Sequence, residues 1–320
     1  MSTLPWNDIP NGRDAIPVSE DPSTPHRFMW ALHNKRHYTL LYLVSQSDLL
    51  NIDMDLPSLQ SVDIYFTPSS PCYLAVSLLD SSFADIFLDL CNDLISSTRQ
   101  STTREEGLAN LVNRCWRWQS LLYRKGSPLL SLQEQQGLFA ELSFLSDHLI
   151  PSLGLSRSLE MWQGPYGSYH DFVSPPTDIE VKSFRAFGTP KIRISSEHQL
   201  EHPLDKTLYL ACYSLAHDQT AGCSISSKAE QISSLLAGSA PAICGLFYSL
   251  LEEAGFSWTH NYENSKWTIQ SLLCYKVRNG FPSINRSSLD SAIVHAEYDL
   301  NPLLLADFAA DIGALVASLL

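Results

Sequence analysis

The chain has 320 residues, of which 44% are hydrophobic and 17% are charged, and its formal net charge is −13. This composition is that of a globular protein long enough for two lobes. No apolar run reaches the roughly 18 residues of a membrane-spanning helix, and the N-terminus lacks the basic and apolar pattern of a secretory signal. We therefore expect a soluble, cytoplasmic protein that does not enter a membrane.

The seven cysteines indicate neither a disulfide framework nor a zinc site. They are scattered, odd in number, and nowhere closer than eleven residues apart. A disulfide-rich domain usually has an even set of cysteines, and a Cys-x-x-Cys metal site has a much tighter spacing. We expect reduced thiols, most of them buried.

Negative charge is concentrated in two segments. Residues 38–98 contain eight aspartates, residues 289–320 contain five acids, and neither segment has a lysine or arginine. These segments account for the whole net charge, so the rest of the chain is neutral and its basic residues form local clusters. We expect the acidic segments to be solvated surface, flanking a basic face that can approach a polyanion.

The first 126 residues predict an N-terminal α+β lobe. Residues 1–27 are rich in proline, aspartate and serine, which indicates an irregular arm with Trp6 as its anchor. Gly126-Ser127-Pro128 marks the end of the lobe. Apolar periodicity predicts strands at 38–44, 62–66 and 72–79 and helices at 81–95 and 103–123.

The next helix carries an acid on its apolar face. Ser131 and Glu134 have the capping-box spacing, so the helix should start there and run to about Ile150, where Pro151 would stop it. Glu141 lies within a stripe of leucines on this helix. A carboxylate in such a stripe costs free energy unless it is paired or bound to a metal.

Charged residues also occupy one face of a predicted strand. Strands are expected at 159–163, 169–173 and 178–184, joined by turns rich in glycine and proline. In the third strand, alternation of side chains puts Asp178, Glu180 and Lys182 on the same face. Further strands are predicted at 191–195, 207–215, 267–277 and 293–298, with helices at 224–237, 241–254 and 302–320.

These acids and the lysine fit the needs of phosphodiester hydrolysis. That reaction uses a divalent cation to polarise the phosphoryl oxygen and to lower the pKa of the attacking water. Magnesium takes one or two carboxylates and keeps several of its waters. Asp171 and Glu180 could supply the ligands, with Glu141 as a third acid and the Val181 carbonyl completing the site. Lys182 could position the water or stabilise charge that develops on the phosphate.

The order Glu141, Asp171 and Glu180-Val181-Lys182 resembles the PD-(D/E)XK nuclease superfamily in its restriction-endonuclease-like form. The wider sequence resembles one prokaryotic family of PD-(D/E)XK motif proteins of unknown function. The segments that carry the second resemblance are residues 137–142, 162–165, 170–172, 180–183, 194–200 and 281–282.

The resemblance implies a restriction-endonuclease-like core in residues 127–320, with a mixed central sheet flanked by helices. It implies a Mg²⁺- or Mn²⁺-dependent endonuclease that acts on double-stranded DNA in restriction or phage defence, as a homodimer or with partner proteins of a defence system. Asp171, Glu180, Lys182 and Glu141 would be catalytic, and Asp171, Glu180, Glu141 and Val181 would hold the metal. We expect DNA contacts from Arg114, Arg117, Arg124, Lys125, Arg185, Lys191, Arg193 and Gln199.

The alternative is a catalytically silent protein of the same fold that binds DNA or scaffolds a defence complex. Other enzyme classes lack their motifs, because the chain has no Gly-x-Gly-x-x-Gly, Walker A or Gly-x-Ser-x-Gly sequence. His33 and His37 have the spacing of a zinc-binding helix, but Asn34 stands where such a motif needs glutamate. We interpret these two histidines as surface residues.

Overall fold

The computed structural model describes residues 4–18, 24–33, 37–45, 56–57, 59, 61–68, 70–122, 129–201, 206–236 and 239–320. The chain is a mixed α/β protein that divides into two compact units. The first unit comprises residues 1–126 and 235–248, and the second comprises residues 127–234 and 249–320. Within the described ranges, no helix combines the length and apolar content that a bilayer span requires.

The first unit contains a five-stranded antiparallel sheet in the order β1-β2-β3-β5-β4. Its predicted strands are confirmed, and two more precede them. The arm is anchored as predicted, because the Trp6 side chain is buried and its indole N–H donates to the Thr39 carbonyl at 3.0 Å. His33 and His37 pair across a β-hairpin instead of following one another on a helix. The strands are β1 (Ala15–Pro17), β2 (Phe28–His33), β3 (His37–Val44), β4 (Val62–Phe66) and β5 (Cys72–Leu78).

Two predicted helices of the first unit, α1 (Ala84–Ser97) and α2 (Arg104–Leu122), are confirmed. They pack their apolar faces into one core with the sheet. Gly107 lies where α2 approaches that core most closely, since a Cβ there would stand 2.7 Å from the Tyr42 hydroxyl and would also overlap the His26 ring. These two side chains are buried and hydrogen-bonded to each other at 2.9 Å, so neither can move aside easily.

The second unit is built on a four-stranded mixed sheet in the order β10-β9-β7-β6. The central pair, β7 and β9, is parallel, and the outer pairs are antiparallel. Both strands are buried over most of their length. The sequence of β9 is a nearly continuous apolar run, as a buried parallel strand requires, whereas β7 carries Asp178, Glu180 and Lys182 in spite of its burial. The strands are β6 (Phe172–Ser174), β7 (Thr177–Arg185), β9 (Thr207–His217) and β10 (Trp267–Val277).

A two-stranded sheet stands beside the main one. It pairs β8 (Ile192–Ile194) with β11 (Tyr298–Leu300) in antiparallel register. The strand predicted at 293–298 is therefore mostly wrong, because only Tyr298 belongs to β11. Ile293 and Val294 are β-branched, but they are 40% and 90% exposed and pair with no strand in the described part of the chain. Strand propensity without a pairing partner did not suffice here.

Helix α3 (Leu132–Phe144) begins at the predicted capping box. The Ser131 hydroxyl accepts from the Glu134 N–H, and the Glu134 carboxylate accepts from the Ser131 N–H at 2.7 Å. The predicted stop at Pro151 is wrong, because the helix continues through a π-helical segment (Leu145–Leu149) and a last turn (Ile150–Leu153) that ends at Gly154. Proline is tolerated there since it sits in the first positions of that last turn.

The strand predicted at 159–163 is wrong, because the chain forms helix α4 (Leu155–Met161). Leu159 and Met161 flank the polar Glu160, which mimics the alternation of a strand, but both side chains are buried within a short helix. The Ser158 hydroxyl donates to the Gly154 carbonyl inside this helix. Gly154 has a positive φ of 79°, which lets the chain turn between two helices without strain.

The C-terminal part also departs from its prediction. The helices α5 (Ile225–Leu235) and α6 (Pro241–Glu253) are confirmed, but the helix expected over 302–320 is reduced to α7 (Ile312–Ala317) and two 3₁₀ turns. The reason is pairing with β10: Ala309 bridges Tyr275, and the Ala310 N–H donates to the Cys274 carbonyl. An extended segment there interrupts the helix, and Asp311 then caps α7. All seven thiols are free, and Cys223 is exposed.

Two helical glycines provide a matched test of this packing. Gly107→Ala should lower the free energy of unfolding by about 1–3 kcal/mol, because overpacking against His26 and Tyr42 outweighs the gain of about 1 kcal/mol in helix propensity. Gly137→Ala on α3 should be neutral or stabilising, since a Cβ there meets nothing within 4 Å. Urea denaturation of both variants measures the difference, and equal effects would contradict the packing described.

Candidate active site

The site lies where the β6–β7 hairpin meets helix α3. Asp171 immediately precedes β6, and a two-residue turn joins β6 to β7. Because Phe172 pairs with Ile179, Asp171 lies beside the middle of β7. Its Oδ2 accepts a hydrogen bond of 2.7 Å from the Val181 N–H. Strand alternation then places Glu180 and Lys182 on the same face of β7. The short connection therefore brings Asp171 next to Glu180.

Glu180 and Lys182 form a close ion pair. Lys182 Nζ lies 2.6 Å from Glu180 Oε1, and the glutamate is buried while the lysine side chain keeps 18% of its exposure. The Asp171 backbone N–H also faces the Glu180 carboxylate. Even so, neither carboxylate oxygen of Glu180 receives a well-directed hydrogen bond from the described residues. A buried carboxylate oxygen without a donor is costly and therefore calls for a ligand.

Glu141 reaches the same site from α3. Its Oε2 accepts a hydrogen bond of 2.8 Å from the Trp162 indole N–H, which holds the carboxylate toward the hairpin. Gly164 marks how closely the groups approach, because a Cβ there would lie 2.9 Å from Asp171 Oδ1 and 3.5 Å from Glu141 Oε2. Glycine at this position leaves the space between the two carboxylates and the chain open.

Burial raises the pKa of all three acids. For Glu141, burial and then the charge of Asp171 hold the pKa well above its usual range. For Asp171, burial outweighs Lys182 and the Val181 N–H, which both lower the pKa. Burial and the Asp171 charge raise the pKa of Glu180 to about 8. Burial lowers the pKa of Lys182, but the charges of Glu180 and Asp171 more than offset it, so the lysine stays protonated.

A second polar cluster adjoins the site and holds Asp178. Lys206 Nζ lies 3.0 Å from Asp178 Oδ2, and His170 Nδ1 lies 3.3 Å from the same oxygen. Burial opposes ionisation of Asp178, yet these two partners bring its pKa below the usual value. Asp178 is thus held by two partners of its own. Glu180, on the same face of β7, lies instead next to Asp171 and Lys182. The contacts that His170, Lys206 and Trp162 make with these acids do not follow from any local sequence pattern.

The predicted DNA contacts of the second unit are mostly engaged within the protein. Lys191 Nζ lies 2.8 Å from Asp299, and Arg193 pairs with Glu297 at 2.5 Å. The Gln199 side-chain oxygen accepts from the Ser195 N–H at 2.9 Å. Arg185 is exposed at the end of β7. The basic cluster around the motif is therefore largely balanced by the acidic C-terminal segment.

The predicted DNA contacts of the first unit are divided between described and undescribed residues. Arg114 makes a bidentate ion pair with Asp93, with both distances at 2.5 Å, and Asp93 also accepts from the Trp118 indole at 2.8 Å. Arg117 acts electrostatically on the same aspartate. Arg124 and Lys125 lie outside the described residues. Arg114 could bind a phosphate only by giving up a well-formed ion pair.

The donor set limits which metal site can form. Within the described ranges, no three side chains of histidine, cysteine, aspartate or glutamate come together in an arrangement that could hold a metal ion. Two carboxylates with water suffice for Mg²⁺, however, and Asp171 with Glu180 provides oxygen donors of that kind. The buried Glu180 carboxylate, which receives no well-directed hydrogen bond from the described residues, fits such a cation. Glu141, held by Trp162, stands next to this pair.

In this α/β unit, Asp171 just before β6, Glu180 and Lys182 on β7, and Glu141 on α3 come together. A family model described as "Putative PD-(D/E)XK family member, (DUF4420)" matches residues 2–301. The chain belongs to this family, as its motifs predicted. No curated protein and no solved structure shows significant similarity to it.

The raised pKa of Glu180 predicts how stability depends on pH. In metal-free buffer the folded state keeps this proton between about pH 4.5 and pH 8, whereas the unfolded state has lost it. Because the folded state binds more protons in this window, the free energy of unfolding should fall as the pH rises through it. Glu180→Gln should flatten this slope in denaturant titrations made with EDTA at several pH values.

Asp178→Asn is the matched control for this measurement. The pKa of Asp178 is lowered, so its contribution to stability is fully present above its ordinary value of 3.8 and is lost only at lower pH. Asp178→Asn should therefore shift stability by a constant amount between pH 5 and pH 8. An unchanged slope in Glu180→Gln would show that the glutamate is not protonated in the folded protein.

Proposed function

We propose that the chain is a metal-dependent DNA endonuclease with a restriction-endonuclease-like core, acting in restriction or phage defence. The observation that supports this most directly is the buried Glu180 carboxylate, which stands beside Asp171 on the adjacent strand and 2.6 Å from Lys182 while lacking a well-directed hydrogen bond. A structural ion pair would normally satisfy its remaining oxygen with a donor. The Glu180 carboxylate has Lys182 and the Asp171 N–H as neighbours but no well-directed donor, which leaves lone pairs available to a cation.

The metal would be Mg²⁺ or Mn²⁺. Asp171 and Glu180 would hold it, with the Val181 carbonyl as a further ligand and Glu141 beside them. When bound, the cation supplies a polarised phosphoryl oxygen and a water of lowered pKa. Its charge would also lower the pKa values of Glu180 and Asp171, since a nearby positive charge favours the ionised carboxylate. Binding of the cation would thereby offset the repulsion among the three buried acids.

The side chains of the protein would do the remaining work. Lys182 stays protonated and keeps 18% of its exposure, so its ammonium can bind a phosphate oxygen or orient the attacking water. Trp162 holds Glu141 in place through its indole N–H. Gly164 leaves room for a phosphate to approach Asp171. Arg185 is exposed at the end of β7, three residues beyond Lys182, and would contact the DNA backbone.

A catalytically silent DNA-binding or scaffolding protein is the second candidate. The observation in its favour is that the described acids form no group of three metal ligands, and that Lys182 already neutralises part of their charge. Such a protein would keep the fold and the ion pair but would bind no cation. Metal binding and cleavage therefore separate the two candidates.

Metal binding should be visible in thermal stability. Replacing Asp171 by Asn should stabilise the metal-free protein by roughly 0.5–2 kcal/mol, the usual gain when a strained functional site is relaxed. Mg²⁺ or Mn²⁺ should raise the melting temperature of the wild type and scarcely that of this variant, because only the intact site binds the cation. Melting curves with EDTA and with each metal provide the measurement. A destabilised variant together with no metal shift in the wild type would favour the silent protein.

Cleavage of supercoiled plasmid tests the activity itself. Asp171→Ala and Lys182→Ala should each lower Mg²⁺-dependent nicking at least about a hundredfold, since each removes a metal ligand or the charge on the phosphate. Circular dichroism should show both variants folded. Glu180→Gln should lose activity equally, whereas Asp178→Asn should keep most of it because Asp178 is engaged by Lys206 and His170.

Two results would contradict this assignment. Activity within tenfold of wild type in Asp171→Ala or Lys182→Ala would exclude them as catalytic residues. Equal loss in Asp178→Asn and Glu180→Gln would mean that the wrong acid on β7 has been chosen. Methylated and unmethylated phage DNA as substrates would show whether the activity depends on DNA modification.

A further inference from the structure

The loop between Gln163 and Asp171 leaves the site and returns to it. The N–H groups of Gln163 and Gly164 both donate to the Asp171 carbonyl, at 2.8 and 3.0 Å. A 3₁₀ turn (Gly164–Tyr166) and Gly167, with a φ of 78°, shape the segment between them. Both ends of the loop are thus fixed at the acid cluster, and Tyr169 precedes Asp171 by only two residues.

This loop carries two tyrosines whose rings face solvent. Tyr166 is 51% exposed and Tyr169 is 63% exposed. Two exposed rings beside a candidate active site offer apolar surface that a bound ligand can cover. The flat faces of aromatic rings bind other flat rings well, and nucleobases are the flat rings of a nuclease substrate.

One of the two rings is held in place from behind. Tyr169 packs on His198, with ring centroids 4.8 Å apart and an angle of 41° between the planes. His198 is itself anchored, since its Nδ1 lies 3.1 Å from Glu201 Oε2 and its Nε2 lies 3.8 Å from the buried Glu197. A ring that is already oriented loses little conformational entropy when a base stacks on it.

Charge balance leaves stacking as the stronger source of affinity. The chain carries a net charge of −13, and Lys191, Arg193 and Arg114 are all paired with acids. A phosphate contact by any of these three residues must first break an ion pair, so these contacts add little affinity. Stacking of a base on an aromatic ring changes affinity by about 5- to 150-fold and does not depend on positive charge.

We propose that Tyr169, supported by His198 and extended by Tyr166, is a stacking site for an unpaired nucleobase next to the scissile phosphate. This inference rests on the proposed nuclease function and specifies its substrate class. Bases within a regular duplex are covered by their neighbours and cannot stack on a side chain without being extruded. The enzyme would accordingly favour single-stranded DNA, or duplex DNA with unpaired nucleotides such as the locally unwound regions of a supercoiled plasmid, over an uninterrupted duplex.

Binding by the full-length protein in EDTA tests the proposal separately from cleavage. The probe is a fluorescein-labelled thymidine oligonucleotide of about 12 nucleotides, a length typical of single-strand sites. The comparison probe has the same number of phosphates but abasic residues throughout, and a third probe is a blunt duplex. Fluorescence anisotropy should show that wild type binds the thymidine strand at least about tenfold tighter than either comparison probe.

Substitutions identify the ring responsible. Tyr169→Ala should weaken binding of the thymidine strand about 5- to 150-fold and leave the abasic probe unaffected, while Tyr169→Phe should bind within about twofold of wild type. Tyr166→Ala should have a smaller effect of the same kind. Phe187→Ala is the matched control, since this ring is 79% exposed but follows the far end of β7. It should bind both strands as wild type does.

The salt dependence adds an independent check. Tyr169→Ala should leave the slope of affinity against salt concentration unchanged, because no phosphate contact is lost. Equal affinity of wild type for the thymidine and abasic strands, or equal loss in Tyr169→Ala and Phe187→Ala, would overturn the proposal. Binding is measured in EDTA, so its result does not depend on cleavage. A protein that binds the thymidine strand through Tyr169 but cleaves no DNA with Mg²⁺ would refute the nuclease function and leave the stacking site valid.

Discussion

The hydrogen bond from the Val181 N–H to Asp171 is the contact on which the site depends. It ties the residue before β6 to the middle of β7, so a hairpin with a two-residue turn brings two acids and a lysine together. The parallel strand β9 pairs with β7 along the whole length of β7. Because the connection is short, Asp171, Glu180 and Lys182 lie within twelve residues of one another in the sequence. This is why they can be recognised as a local sequence motif.

Burial then raises the pKa values of the acids that this geometry brings together. Three carboxylates and one ammonium in a restricted space cannot all be charged without cost, so protons or a cation must supply the balance. The second cluster, around Asp178, shows the opposite solution on the same strand face: there Lys206 and His170 provide partners, and the carboxylate stays ionised. Two acids two residues apart are thus given different roles by the groups that face them.

Sequence reasoning succeeded where the determining pattern was local. The capping box at Ser131, the strands β7, β9 and β10, and the acid within the α3 stripe follow from spacing over a few residues. It failed for α4 and for the C-terminal helix, where the outcome depends on packing or on pairing with a distant strand. Trp162 and Lys206 were missed for the same reason, since their partners are 21 and 28 residues away.

The π-helical segment (Leu145–Leu149) has a consequence for comparison between relatives. A π turn accommodates one more residue than an α turn, so it acts as a single-residue insertion within a helix. It rotates Ile150–Leu153 relative to Glu141 without altering the face that α3 presents to the hairpin. Family members that lack the segment would align with a one-residue gap between Phe144 and Ile150. That gap would fall in the segment that carries Asp147, the partner of the buried Lys228 at 3.0 Å.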